Sequence, residues 1–258
     1  MKTVWISLLC LLLQIGCAQA AMSEEEFTRL LRSTLRNRPD IVLDLLREHS
    51  ESILDIAQHG SNLRRKKNME SQWLEDIKQP KQVARDKRPE LGPANAPVLL
   101  VAFSDFTCPY CQQAYESVKR LMEARPKELK LLFKHMPHGK DSPSRTGAEY
   151  FVAASLQSAQ SAWRMYDIFF AQPEALSDNA AEFAAKTAEQ LGLDMKRLNK
   201  DLKSKQVAAI IEEDLADAKA LNFDGTPSFL INALRVRGAV SYDIFNAAVD
   251  MALAHSKK

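Results

Sequence analysis

Four consecutive residues carry the most specific chemistry in this 258-residue sequence: Cys108, Pro109, Tyr110 and Cys111. Two thiols three positions apart face the same way if the chain between them is helical, because residues one turn apart stack on one side of a helix. They can then open and close a disulfide with each other. The flanking pattern puts the pair at a strand-to-helix junction. Val98-Leu99-Leu100-Val101-Ala102-Phe103 is an unbroken apolar run of strand length, as in a strand buried on both faces. Tyr115, Val118, Leu121 and Met122 then recur at helical spacing. Cys108 opens that helix, where unpaired backbone N–H groups and the positive end of the dipole favour a thiolate over a thiol. Pro109 suits the first helical position, where its missing N–H costs nothing. Cys108 would capture a disulfide as a mixed disulfide, and Cys111 would resolve it.

Other uses of the pair are weighed by what surrounds it. A structural zinc site wants four ligands, and the sequence holds no second CxxC. His135 and His138 flank Met136-Pro137 and read as loop histidines rather than ligands. Two thiolates can hold Cu(I), so a copper-binding module stays open, although no Met or His cluster lies nearby. A plain structural disulfide is the remaining alternative.

The first twenty residues read as an export signal. Lys2 supplies a positive start, Val4 to Ile15 is an apolar run too short to span a bilayer, and Ala18-Gln19-Ala20 precedes a cut before Ala21. Acylation at Cys17 is the competing reading. Cys10 and Cys17 leave with the signal, so the exported chain keeps Cys108 and Cys111 alone, in an oxidising compartment such as the periplasm. Lys+Arg total 35 against Asp+Glu 33, a formal charge of +2, which argues against a nucleic-acid binder working through bulk positive charge. With 8 glycines no phosphate-binding glycine loop is present, and no cofactor or metal is expected.

Residues 21–78 read as helices. Ser23 with Glu26 makes a capping box. Phe27, Leu30, Leu31 and Leu35 form one apolar stripe, Pro39 restarts the chain, and Ile41, Val42, Leu45, Leu46, Ile53, Leu54 and Ile56 form another. Gly60 is expected to break or bend the run before Leu63, Trp73, Leu74 and Ile77. A segment of about 55 residues rarely buries enough surface to be stable alone. These helices therefore either pack on the second segment or hold copies of the chain together. Residues 79–97, with Pro80, Pro89, Pro93 and Pro97, read as an extended linker. From residue 98 the order is β-α-β, a long helical region over Ser144 to Leu221, then β-β-α. Thr226-Pro227 opens the third strand. A bond of that type can be cis, leaving backbone free to pair with an extended peptide, or an ordinary trans proline starting an edge strand.

Phe103-Ser104-Asp105-Phe106-Thr107-Cys108-Pro109-Tyr110-Cys111, with Gly225-Thr226-Pro227-Ser228-Phe229 downstream, resembles the DsbA-like branch of the thioredoxin superfamily. Ser144 to Phe170, with Ala148, Ala153, Ala154, Trp163, Asp167 and Phe169, is similar to the helical insertion of that branch. The N-terminal helices with Asn37-Arg38-Pro39 resemble the oligomerisation region of ScsC-type members, which are linked to copper tolerance. The resemblance implies an α/β thioredoxin fold with a helical insertion over 98–258, preceded by a helical extension. It implies catalytic roles for Cys108 as nucleophile, Cys111 as resolving thiol, and a cis Pro227 with Thr226 before it. Asp105 is the nearest candidate for the buried acid that assists proton transfer in thioredoxin. Many relatives carry Asn-Gly where this chain has Asn232-Ala233, and Gly where it has Asn222.

The implied function is a periplasmic thiol–disulfide oxidoreductase, with exported cysteine-containing proteins as substrates and a membrane redox partner to recharge it. Isomerases of this class present two or more sites across a cleft, so a homo-oligomer through the N-terminal helices points to an isomerase or reductase. A monomeric disulfide donor is the alternative.

Overall fold

The computed structural model describes residues 22–256. The expected export signal over 1–20, with its cut after Ala20 and the alternative at Cys17, lies outside the described residues. The chain falls into two compact units, one ending at Arg64 and the other running from Arg65.

The first unit is helical. Helix α1 (Glu24–Asn37) begins where the Ser23 hydroxyl accepts the Glu26 N–H, with three glutamates in its first turn, where acidic side chains suit the dipole. Helix α2 (Pro39–Glu48) restarts on Pro39 at its first position. Neither helix buries a residue. Phe27, Leu30, Leu31 and Leu35 on α1, and Ile41, Val42, Leu45 and Leu46 on α2, are exposed. Helix α3 (Ser50–Lys78) starts in this unit and runs through Gly60 without a break. One glycine costs about 1 kcal/mol against alanine inside a helix, too little to divide a run of good helix formers, so the expected break does not occur.

The second unit is built on a five-stranded sheet in the order β1-β3-β2-β4-β5. Its strands are β1 (Glu90–Leu91), β2 (Val98–Ser104), β3 (Leu129–His135), β4 (Ser228–Ile231) and β5 (Leu234–Arg237). Helix α4 (Pro109–Ala124) joins β2 to its parallel neighbour β3, with Val98 opposite Leu129 and Ser104 opposite His135. Strand β4 returns antiparallel to β2, and β5 antiparallel to β4. Between β3 and β4 the expected helical region is six helices: α5 (Pro143–Ser155), α6 (Ala159–Ala171), α7 (Pro173–Asp178), α8 (Ala180–Gln190), α9 (Met195–Leu202) and α10 (Lys205–Ala220). Helix α11 (Tyr242–Ser256) closes the chain.

The alternation of strand side chains makes two cores. Leu100, Ala102, Leu131, Phe133, Phe229 and Ile231 point to one face, with Val118 and Leu121 of α4 and Phe245 and Val249 of α11. Val101, Phe103, Leu132 and Leu230 point to the other, against Ala218 of α10, Leu221 and Phe223. The β4–β5 turn uses Asn232 at φ +50°, a conformation asparagine tolerates better than most residues. Its side chain then caps the neighbouring strand: Oδ1 accepts the Leu99 N–H and Nδ2 donates to the Pro97 carbonyl.

Residues 79–97 are not a free spacer. Arg88 is buried and donates to Asp214 and to the Ile210 carbonyl of α10, the Ala84 N–H donates to Asp217, and Glu90–Leu91 pair with β3. Lys134, fully buried on β3, lies 2.8 Å from Asp214 and 2.7 Å from Asp217. Lys134 and the Arg88 side chain thus meet the buried Asp214, with the partly exposed Asp217 beside them, and pairing of this kind is the condition under which buried charge is tolerated. Two-residue strands are hard to see in a sequence, and charged residues between prolines look solvated until a partner far along the chain is known. The end of α3 is fastened as well. Trp73 is fully buried, its indole N–H donating to the Arg235 carbonyl at 3.0 Å, and Asp76 accepts from the backbone and guanidinium of Arg235. Among the described residues no helix is long and apolar enough to cross a membrane.

Trp73→Ala should cost about 3–5 kcal/mol, the usual range for emptying a buried aromatic site. Urea unfolding of the full chain measures this. An unchanged midpoint would show that the end of α3 is not part of the fold.

Candidate active site

The site forms where β2 hands over to α4. Phe106, 1% exposed, leaves the strand end and enters an aromatic cluster. Its ring stacks on Phe133 at 4.9 Å and meets Phe169 and Phe170 at 5.2 and 5.1 Å. This anchor fixes the turn over Ser104 to Cys108. Cys108 is the N-cap of α4, with extended backbone dihedrals and Pro109 following as the first helical residue. Its carbonyl accepts the N–H groups of Cys111 and Gln112, starting the helix, while its own N–H donates to the Asp105 carbonyl at 3.2 Å.

The two thiols are unbridged and unequally placed: Cys108 is partly exposed and Cys111 is buried. Burial pushes the Cys111 thiol up to about 12, and the Ser104 and Thr226 hydroxyls and the Asp105 backbone, which favour the anion, only partly offset it. Tyr110, between the cysteines, is 66% exposed. Gln112 donates to the Phe170 carbonyl, and the Tyr115 hydroxyl donates to Asp167, so α4 is tied to α6.

The Thr226–Pro227 bond is cis. The Cys108 sulfur lies 3.8 Å from the Thr226 carbonyl oxygen, a weak S–H hydrogen bond. The four residues singled out in the sequence, Cys108, Cys111, Thr226 and Pro227, therefore meet across 118 positions of chain. The backbone beside Pro227 is less free than expected, because its carbonyl already accepts the Gly238 N–H at 2.8 Å.

Asp105 has a buried carboxylate, and Oδ1 accepts both the N–H and the hydroxyl of Thr107. Oδ2 lies 2.6 Å from Nδ1 of His138, whose side chain is 74% exposed. His135 is not a loop residue. It ends β3, is 2% exposed, and sits 5.0 Å from both Phe133 and Phe151. No cluster of three or more His, Cys, Asp or Glu side chains arranged to hold a metal exists among the described residues. The spacing of the motif did not reveal the hydroxyl of Ser104, which faces the second sulfur, or the pairing of Asp105 with His138. The first could have been suspected from its place at the end of a strand that leads into the cysteines. The second had no local signal, since the partners are 33 residues apart.

Residues 85–251 match the family model described as Thioredoxin. The chain belongs to the thioredoxin family. Its sheet with helices inserted between β3 and β4 is the DsbA-like form of the fold, the fold of thiol–disulfide oxidoreductases. A thioredoxin-like oxidoreductase from Silicibacter pomeroyi DSS-3 aligns over 66% of this chain and 94% of its own, with 29% identity and a TM-score of 0.53. Proteus mirabilis ScsC in a transitional conformation aligns over 90% of this chain and 97% of its own, with 19% identity and a TM-score of 0.56, a likeness of fold. The Na(+)/H(+) antiporter NhaA 1 of Salinispora arenicola is 33% identical over 167 residues. The match takes in 64% of this chain but 25% of that protein, so the chain spans about a quarter of the curated relatives it matches.

Burial, reinforced by the positive charges of Arg88, Lys134 and Arg145, pushes His135 down to about 3. Unfolded, the same imidazole titrates near 6.5. Between those values the unfolded chain holds a proton that the folded chain refuses, so stability should be complete above about pH 6.5 and fall towards pH 3. The slope from this one group approaches about 1.4 kcal/mol per unit. Urea titrations of the parent and of His135→Leu across pH 4–7 should show the parent losing more on acidification; parallel curves would refute the assignment.

Proposed function

We propose that this protein is a periplasmic thiol–disulfide oxidoreductase that acts on exported cysteine-containing proteins, with isomerase or reductase character and several copies working together. The observation that carries this reading is the unequal burial of two thiols at the start of α4. Cys108 is reachable and sits where the helix N-terminus favours its thiolate. That thiolate attacks one sulfur of a substrate disulfide. A new S–S bond forms to Cys108, the substrate's S–S bond breaks, and the departing sulfur leaves as a thiolate.

Two exits follow. Cys111 can lose its proton and attack the Cys108 sulfur, closing the Cys108–Cys111 disulfide and freeing a reduced substrate. Alternatively, another thiolate of the substrate attacks its own mixed sulfur, which rearranges the substrate and returns Cys108 unchanged. Since Cys111 is held as a thiol up to about 12, the first exit is slow near neutral pH and the second gains time. A membrane redox partner would then set the resting state of the pair.

The exposed apolar stripes of α1 and α2 supply the second half of the proposal. Nine large side chains, Phe27, Leu30, Leu31, Leu35, Ile41, Val42, Leu43, Leu45 and Leu46, lie exposed on these two helices. Contiguous apolar surface of this kind marks an association site, and a second copy of the chain offers a matching stripe. Copies joined there would bring several Cys108 thiolates to one substrate.

Reduced protein should restore activity to scrambled ribonuclease. Cys108→Ser should abolish the rescue, and Cys111→Ser should retain part of it while accumulating mixed disulfides. Equal rescue by parent and Cys108→Ser would refute the reading. Light scattering on the exported chain should give a multiple of the chain mass, and Leu31→Glu with Leu45→Glu should reduce it to one copy with the ribonuclease rescue impaired. A parent that is already a single copy would favour a disulfide donor.

A further inference from the structure

Outside the cysteine pair, the site holds one hydrogen-bonded chain that the exchange chemistry has not used: Thr107, Asp105 and His138. Asp105 is a hub. Its carbonyl accepts the Cys108 N–H, and its backbone is among the groups that ease the anion at the Cys111 sulfur. Its position therefore sets the surroundings of both sulfurs. What holds Asp105 in place is its side chain. One carboxylate oxygen is taken by Thr107 within the same turn, and the other lies 2.6 Å from Nδ1 of His138. His138 is the partner that comes from outside the turn, on the loop between β3 and α5. That loop is itself closed by Ser142, whose hydroxyl donates to the His138 carbonyl at 2.6 Å. The ring is 74% exposed while the carboxylate is 1% exposed. An exposed imidazole contributes little packing, so what it gives Asp105 is a hydrogen bond. A carboxylate accepts only, so Nδ1 carries the proton.

We propose that His138 is a positioning residue for thiol–disulfide exchange, acting through Asp105. Its N–H occupies a carboxylate oxygen and offsets negative charge in the turn that presents Cys108. Without it the carboxylate keeps only its Thr107 contacts, and its charge is less compensated in the turn that presents Cys108. A nearby carboxylate disfavours a thiolate. The reduced pair is then less favourable and Cys108 less reactive, so the pair shifts toward the disulfide. The balance is that of the exchange itself: glutathione disulfide plus the dithiol gives two glutathione thiols plus the Cys108–Cys111 disulfide, with two electrons and two protons passing to glutathione.

This role presupposes the oxidoreductase reading, and three chains of full length separate the two: the parent, His138→Ala and His138→Asn. Asparagine places an N–H donor close to where Nδ1 stands. In His138→Ala, alkylation of Cys108 by iodoacetamide should slow at least about threefold, and the glutathione equilibrium should move at least about threefold toward the disulfide. His138→Asn should stay within about twofold of the parent in both. Urea midpoints should agree for all three chains, because the ring is mostly in water. An alanine variant equal to the parent in both measurements overturns the inference. So does an asparagine variant as impaired as alanine, since the hydrogen bond would not then be the cause, and so does a fall in midpoint parallel to the loss. A parent that exchanges with glutathione while the variants match it leaves the oxidoreductase reading intact, whereas a parent that does not exchange removes both.

Discussion

The seating of Phe106 among Phe133, Phe169 and Phe170 is the constraint on which the site depends. A turn between a strand and a helix has few backbone bonds of its own, and this one must hold a reactive sulfur at a fixed place. A ring with 1% exposure in an aromatic cluster gives the turn one rigid point. Buried aromatic pairs add about 0.5–1.5 kcal/mol each beyond the area they bury. From that point the chain has two residues in which to reach the N-cap. Thr107 bonds to Asp105, and Cys108 follows with its backbone turned so that its carbonyl opens α4. The helical insertion matters here because it supplies Phe169 and Phe170. It is thus part of the wall that holds the turn presenting Cys108.

The second consequence of this arrangement is the difference between the two sulfurs. They sit one helical turn apart, yet one faces solvent and the other the interior. The motif makes them equal in composition, and the fold makes them unequal in energy. Burial of Cys111 on the inner face of α4 discourages its anion, while Cys108 stays partly exposed at the helix start. Two identical side chains are thereby set apart, one reachable and one held back, which is the difference the proposed exchange uses. Ser104 and Thr226 limit the penalty at the buried sulfur, and they come from two different strands, β2 and the approach to β4.

The candidate site was legible in the sequence wherever the signal was local. The apolar run at 98–103 became β2, and the cysteines fell on the first turn of α4. The Thr-Pro dipeptide stood at the entry to β4, although 118 residues separate it from Cys108. Patterns that needed a distant partner stayed hidden. Arg88 looked like a linker charge because Asp214 lies 126 residues further on. Trp73 looked like one more apolar residue of an amphipathic helix, whereas its indole is committed to the backbone of β5. Gly60 misled in the other direction, since a local propensity of about 1 kcal/mol was outweighed by the helix on both sides. Within the site, His138 read as an unremarkable loop histidine, and only the folded chain brings it to Asp105. Strand β1, two residues long, stayed hidden for the same reason, since its partner β3 lies some forty residues further on.

The largely buried group of Arg88, Lys134, Asp214 and Asp217 has one more implication. Dissolved ions screen charges that water can reach and scarcely affect those it cannot, so this fastening should respond little to the salt concentration around the molecule. Hydration of free ions also weakens as temperature rises, which lowers the penalty for having given it up. The strap across the back of the sheet is therefore the kind of attachment that holds its relative strength in heat and brine, where the fastenings on the molecule's outer skin fade.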